Sequence, residues 1–281
     1  MNSLLLSSVT DQIVQADSLL ANPGKNRLFI DVRLGEPEDE WKSYRDCHII
    51  GAVHAQIREV FASAPTAQSG NLPLPDIGKL RQTLEAWNVD NATEIVLYGP
   101  SAALAARGWW VLKWAGLKNV KVLDGGLKAW VNHGGAVAQG DSLSRLTPSG
   151  SPLTLTTDNM PSVTVSEVES LPDTTLVIDA RDESSYLAGR IPRAVNSPAA
   201  EQWTPGSTLR TTREIERIHA DAGVTPERDV VVDCGGGVLS ALSVLTMSAC
   251  GATPRLFVGS WSEWNKSPLR MARSAAERAD A

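Results

Sequence analysis

Two segments of this chain, more than a hundred residues apart, repeat each other, and that duplication constrains the fold more than any other feature. Leu28-Phe29-Ile30-Asp31-Val32-Arg33 is matched by Leu176-Val177-Ile178-Asp179-Ala180-Arg181. Each is an apolar, β-branched run ending in Asp-x-Arg, which predicts a buried strand delivering polar groups at its carboxyl end. His48-Ile49-Ile50-Gly51-Ala52-Val53 pairs with Arg190-Ile191-Pro192-Arg193-Ala194-Val195, and Glu94-Ile95-Val96-Leu97-Tyr98-Gly99 with Asp229-Val230-Val231-Val232-Asp233-Cys234. A helix is expected after each of the latter pair, over Ala102 to Ala115 and over Val238 to Cys250, with stops at Gly116 and Gly251. Val122 to Trp130 then matches Leu256 to Trp264 as a strand, a turn and a short helix.

Strands alternating with helices in this order predict an α/β protein with a mainly parallel sheet in each half, covered by helices on both faces. A length of 281 residues suits two such domains. The expected division is 1–145 and 155–281, joined by a linker rich in Ser, Thr, Gly and Pro that wraps or spans from Ala136 to Ser162. The Ala/Arg/Glu tail from Arg270 to Ala281 reads as frayed helix or disorder.

Composition excludes several function classes. Apolar residues are 42% and charged ones 21%, an ordinary globular balance, and a net charge of -6 without a Lys/Arg block argues against nucleic acid as a partner. The Leu run in Met1 to Val9 is too brief, and lacks the preceding positive charge, for a signal peptide. No apolar stretch is long enough to span a bilayer, so no membrane partner is expected. Cys47, Cys234 and Cys250 form no even framework, which points to free thiols in a reducing compartment, the cytoplasm.

The chemistry concentrates at Cys234. In open parallel sheets reactive groups gather beyond the carboxyl ends of strands, where loops enter helices. Here Val230-Val231-Val232-Asp233-Cys234 runs into Gly235-Gly236-Gly237 and then Val238-Leu239-Ser240. Glycines bring bare N–H groups near a ligand, and the helix N-terminus adds partial positive charge, which together favour a thiolate and a bound anion or terminal sulfur. A lone cysteine at a strand end would more often be core packing. Three consecutive glycines after it move the balance toward function, and the first copy, with Gly99-Pro100-Ser101, offers no thiol there. One active and one inactive half are expected. Phosphatase chemistry is disfavoured, because the sixth residue after the cysteine, where an arginine would clamp phosphate, is Ser240. Cys47 beside His48, with His54 nearby, lacks a matching distant ligand pair, so no metal is expected. Trp109, Trp110, Trp114 and Trp130 are expected to fill the first domain's core and Cys250 to pack, while Trp261 and Trp264, on a turn that can border the cleft, are left open between core and cleft.

These residues resemble the two-domain, or tandem, rhodanese-type sulfurtransferases, which include thiosulfate and mercaptopyruvate sulfurtransferases. The resemblance covers most of the chain. It is carried by Cys234-Gly235-Gly236-Gly237-Val238, by Gly259-Ser260-Trp261-Ser262-Glu263-Trp264, by Val122 to Trp130, by His48-Ile49-Ile50-Gly51-Ala52 and by the two Asp-x-Arg strand ends. It implies two rhodanese-like domains, an inactive one over 1–145 and a catalytic one over 155–281. It also implies that Cys234 is the nucleophile, that Gly235, Gly236, Gly237, Val238, Leu239 and Ser240 cradle the transferred sulfur, and that Arg181 binds a substrate carboxylate or sulfonate. Asp31 and His48 would lie on the first domain's side of the cleft. The uncharged loop is more similar to mercaptopyruvate-type enzymes than to thiosulfate-type ones. Gly236 and Leu239 depart from the hydroxyl residues of that family, and Ser185 stands in place of its second substrate arginine, with Arg190 a candidate substitute. The implied activity takes a sulfane sulfur from a small donor to thioredoxin, glutathione, another thiol or cyanide through a Cys234 persulfide, with no cofactor. The alternative is a weakly active or inactive rhodanese module that carries sulfur or binds a protein.

Overall fold

The computed structural model describes residues 12–279 apart from 25, 145, 148–151 and 206. The Met1 to Val9 reading and the last residues of the tail therefore lie outside the described residues. The first half opens with β1 (Ile13–Val14), α1 (Ala16–Ala21), β2 (Arg27–Arg33) and α2 (Pro37–Asp46). Strands β3 (His48–Ile49) and β4 (Val53–Gln56), helix α3 (Ile77–Ala86) and strand β5 (Glu94–Tyr98) follow. It closes with α4 (Ala102–Trp114), β6 (Val120–Leu123), α5 (Gly126–Asn132) and β7 (Val137–Ala138). The second half runs β8 (Ser162–Val163), α6 (Val165–Glu169), β9 (Leu176–Asp179), α7 (Glu183–Ala188) and β10 (Ala194–Asn196). It continues with α8 (Thr212–Asp221), β11 (Val230–Asp233), α9 (Leu239–Ala249), β12 (Arg255–Phe257), α10 (Ser260–Trp264) and α11 (Pro268–Ala279).

Among the described residues each half has a five-stranded parallel sheet, ordered β1-β6-β5-β2-β4 in the first and β8-β12-β11-β9-β10 in the second. The two orders superpose term by term, as the sequence repeat requires. Even the register is kept: Asp31 lies opposite Tyr98, and Asp179 opposite Asp233.

Alternation along the central strands sorts side chains onto two faces. Leu176 and Ile178 of β9, with Val230 and Val232 of β11, enter one cluster together with Cys234, while Val177 and Val231 enter another on the opposite face. The first cluster is continuous across both halves, because α4 packs against α9. Trp109, Trp110 and Trp114 belong to this shared cluster, whereas Trp130 packs with Phe29 and Tyr98 on the outer face of the first sheet. All four tryptophans are buried, as expected of core residues, and three of them sit where the two halves share one core. A helix that is apolar around most of its circumference must be buried on most sides, and α4 is flanked by its own sheet and by α9.

The linker wraps along the first half. Strand β7 pairs antiparallel with β3, Leu146 and Leu153 are buried, and Asn91 exchanges two hydrogen bonds with the Thr154 backbone. The tail departs from expectation, because Pro268–Ala279 is a docked helix. Trp264 Nε1 donates to the buried Ser274 hydroxyl, and Arg270 donates to the Trp264 and Glu263 carbonyls. Local composition gave no sign of these partners, which come from α10.

Helix α8 starts at a capping box: the Thr211 hydroxyl accepts from Glu214 N, and the Glu214 carboxylate accepts from Thr211 N at 3.0 Å. Thr211→Ala is expected to cost about 1 kcal/mol, a fall in Tm of about 2–4 °C in a thermal melt, without changing the fold.

Candidate active site

Strand β11 ends with Cys234 pointing to the face shared with α4 and α9, because it continues the Val230, Val232 alternation. The loop that follows folds back over the sulfur. Gly237 N–H donates to Cys234 Sγ at 3.1 Å, and Ser240 Oγ, in the first turn of α9, donates to it at 3.3 Å. Gly237 sits at φ +83, and a Cβ there would stand 2.8 Å from the Val258 carbonyl oxygen, so glycine is required by both conformation and space. The Ser240 hydroxyl thus supplies a donor that the sequence comparison with hydroxyl-bearing loops had placed at other positions. The Gly235 and Gly236 amides find no acceptor among the described residues. Cys234 itself is 2% exposed, while Gly235 is exposed and a Cβ on it would meet nothing within 4 Å. The approach to the sulfur is therefore over Gly235, beside Gly236, where Asn71 Cβ and Ser262 Oγ form the rim.

The loop is held from α10. The Cys234 and Gly235 carbonyls accept from Trp261 N and Ser262 N, and Cys234 N–H donates to Ser260 Oγ at 3.2 Å. Ser260 has φ +51, in the left-handed region, where the equivalent residue of the first half is Gly126 at φ +53. The same turn is thus built twice, once with glycine and once with a strained serine whose hydroxyl serves the cysteine. Its proton goes to the Phe257 carbonyl at 2.9 Å, so the 3.9 Å contact with Sγ is secondary. Ser260→Gly should leave stability within about 1 kcal/mol, relief of strain offsetting the lost bond, while the alkylation rate of Cys234 falls by about tenfold. An unchanged rate would remove Ser260 from the site.

Arg181 is engaged at its own strand end through part of its guanidinium. Its Nε and Nη2 both donate to Asp179, and Nη2 also donates to the Gly189 carbonyl at 2.6 Å, leaving Nη1 without an acceptor among the described residues. The guanidinium stacks on Trp261, with Cζ 5.0 Å from the ring centroid. The first half repeats the arrangement, Arg33 bonding both Asp31 oxygens at 2.9 and 3.0 Å. A pair present in both copies, only one of which has a thiol at its loop, is first a staple of the strand end. Asp31 and His48, expected on the cleft side, are fully buried within the first half. Asp31 is committed to Arg33, and burial outweighs that partner in raising its pKa. His48 stacks on Tyr44, with Nδ1 3.0 Å from the Tyr44 carbonyl oxygen. Arg190 lies over the Tyr186 ring, 4.8 Å from its centroid, and among the described residues makes no hydrogen bond to the Cys234 loop. Trp264 is buried core rather than cleft lining.

Three neighbours of the sulfur escaped the sequence reading. Asn71 reaches the rim because its backbone N–H donates to Ser262 Oγ at 2.9 Å, a contact across the halves that no local pattern announces. Asp233 is fully buried with both oxygens unpartnered, and burial, with Asp179 adding to it, pushes it well above the usual carboxylate range. Arg107 of α4 reaches the loop from the first half, Nη1 standing 3.5 Å from the Gly237 carbonyl oxygen. A signal for it existed: a cation in the middle of a helix whose only other charge, Lys113, lies in the last turn. Cys47 borders a cavity of about 470 Å³ with Gly99, Pro100 and Ser101, the first half's counterpart of the Cys234 loop. Cys250 is half-buried, and burial pushes its thiol up to about 11. Among the described residues no helix is long and apolar enough to cross a membrane, and no three His, Cys, Asp or Glu residues cluster as metal ligands.

Comparison with known proteins agrees with the duplicated architecture. The family profile of the Rhodanese-like domain matches residues 15–133 and again 164–267. The chain is 31% identical over 261 residues to a thiosulfate sulfurtransferase of Pseudomonas aeruginosa, covering 84% of this chain and 91% of that protein. It is 28% identical over 260 residues to the 3-mercaptopyruvate sulfurtransferase of Escherichia coli K12, covering 84% and 88%. The crystal structure of SseA from Escherichia coli, described as having the rhodanese fold, aligns with a TM-score of 0.74 at 27% identity, over 90% of this chain and all of that one.

Proposed function

The chain belongs to the rhodanese family and is a sulfurtransferase, and from that premise we propose that it carries the transferred sulfur as a persulfide on Cys234. In the first half-reaction the Cys234 thiolate attacks the sulfane sulfur of a small donor. An S–S bond forms to Cys234 as the donor's bond to that sulfur breaks. The bonding pair leaves with sulfite, or with the enolate of pyruvate, which then takes a proton from water. In the second half-reaction an acceptor thiolate attacks the outer sulfur, takes it as a persulfide and returns Cys234 as thiolate; cyanide in the same role leaves as thiocyanate.

The observation that carries this reading is the sulfur held by the Gly237 amide and the Ser240 hydroxyl below two glycine amides that have no acceptor among the described residues. Those amides and the start of α9 form a place for one anionic sulfur atom. The loop from Gly235 to Ser240 carries no cation, which favours 3-mercaptopyruvate over thiosulfate as donor. Arg181 Nη1 and Arg190 are the groups proposed for its carboxylate. The relatives include both donor types, so identity alone does not choose between them.

A second reading is favoured by one observation, the 2% exposure of Cys234: a module that loads sulfur slowly and passes it to a protein. Steady-state assays with mercaptopyruvate and with thiosulfate, on wild type and Cys234→Ser, decide. Turnover with mercaptopyruvate that the variant lacks supports the enzyme reading. Negligible turnover with both donors, beside a persulfide that persists, supports the carrier.

A further inference from the structure

The first half of the molecule contributes a charge to the catalytic half. Arg107 projects from α4 into the junction between the halves and is fully buried. Its Nη2 donates to the Leu72 carbonyl at 2.9 Å and the Phe61 carbonyl at 3.3 Å, Nη1 approaches the Gly237 carbonyl, and Nε has no partner. Carbonyls satisfy donors but carry no net charge, and among the described residues no carboxylate pairs with this guanidinium. An uncompensated buried cation is costly to keep. Burial pulls Arg107 down to about 10, so it stays charged at neutral pH, and the residue whose carbonyl it approaches, Gly237, is the one whose amide donates to the Cys234 sulfur at 3.1 Å.

The other charged and polar groups around the sulfur are already committed or neutralised by burial. Asp233 precedes it on β11 and is pushed toward its neutral form, and Arg181 is paired with Asp179 at the end of β9. Ser240 of α9 and Ser260 of α10 are neutral hydroxyls. We propose that Arg107 is the buried counter-ion of the Cys234 sulfur, a positioning residue supplied by the half that lacks a thiol at this loop. The proposal rests on the persulfide reading and deepens it, because thiolate and persulfide are both anions and both lie under the same loop. It also gives the inactive half a chemical purpose, since its helix α4 delivers the charge and its segment from Phe61 to Leu72 holds that charge in place.

The test is the pH profile of Cys234 alkylation by iodoacetamide, followed on the Cys234 peptide by mass spectrometry. In Arg107→Met the profile should shift toward higher pH by about one unit, with alkylation at neutral pH slowed about tenfold. Arg107→Lys, which keeps the charge and loses the fork, should stay within about threefold of wild type. A purely structural staple predicts the opposite pattern, with both variants melting earlier and neither moving the profile. An Arg107→Met profile superimposed on wild type, or an Arg107→Lys profile shifted equally, overturns the proposal. Should neither substitution fold, Cys234→Asp and Cys234→Asn decide with Arg107 intact. The charged variant should melt at the higher temperature, and the reverse order overturns the proposal. Loading of wild type with donor, read by intact mass, separates the two ideas. One added sulfur on Cys234 with an unmoved Arg107→Met profile leaves the persulfide and removes the counter-ion, whereas no added sulfur removes both.

Discussion

Cys234→Ser should reduce sulfur transfer by at least about a thousandfold with either donor, because the substitution deletes the atom on which the two half-reactions turn. The fold should hardly notice. Serine is close in size to cysteine, and its hydroxyl can still accept from the Gly237 amide and from Ser240, which now stand 3.1 and 3.3 Å from the sulfur. Intact mass after exposure to mercaptopyruvate should show one extra sulfur on wild type and none on the variant. The other cysteines do not rescue it: Cys250 sits at the end of α9 with its thiol pushed up by burial, and Cys47 borders the first half's cavity. Equal sulfur addition to both proteins would show that the loading site lies elsewhere and would end the assignment.

Asp179→Ala should cost about 3–5 kcal/mol, read as a lower urea midpoint, because it strands a buried guanidinium. Arg181 would keep the Gly189 carbonyl and the Trp261 ring but lose its carboxylate. Asp31→Ala in the other half should act in the same direction and less strongly, since Arg33 retains the Ser43 hydroxyl at 2.6 Å and Glu40 at 3.6 Å. The pairing of these two results is the informative part. If Asp179→Ala left stability untouched, the staple assignment would be wrong; a raised KM for mercaptopyruvate beside the lost stability would accord with Arg181 Nη1 as the carboxylate ligand.

The repeat made much of the fold legible. Two copies of a strand ending in Asp-x-Arg, each followed by a second strand, a helix and a strand-turn-helix, prescribe two similar sheets, and the observed strand orders are the same in both. Helix α4 begins at Ala102 and α9 at Leu239, within a residue of what the apolar runs and terminal glycines indicate. The docked tail helix was not legible, because its stability comes from Trp264, Glu263 and Glu169, far from it in kind and partly in sequence. The candidate nucleophile was legible for a local reason: strand, cysteine and three glycines are consecutive, and the geometry of a strand-to-helix turn follows from adjacent residues. The pairing of Arg181 with Asp179 was not legible, because a sequence shows that an arginine is present and not which carboxylate engages it.

What the sequence determined by itself is the set of elements, their order and the one strand end at which a thiol meets a glycine loop, all of which depend on neighbours along the chain. Only the tertiary structure decided which face of β11 turns toward the other half, and that choice assembled the rest of the site. It brought Arg107 from a helix 130 residues earlier to the Gly237 carbonyl, Asn71 to the rim and Ser260 beneath the Cys234 amide. Side chains such as these are selected by distance in space, and a cation buried without an anion becomes visible as a question about function only when its surroundings are seen.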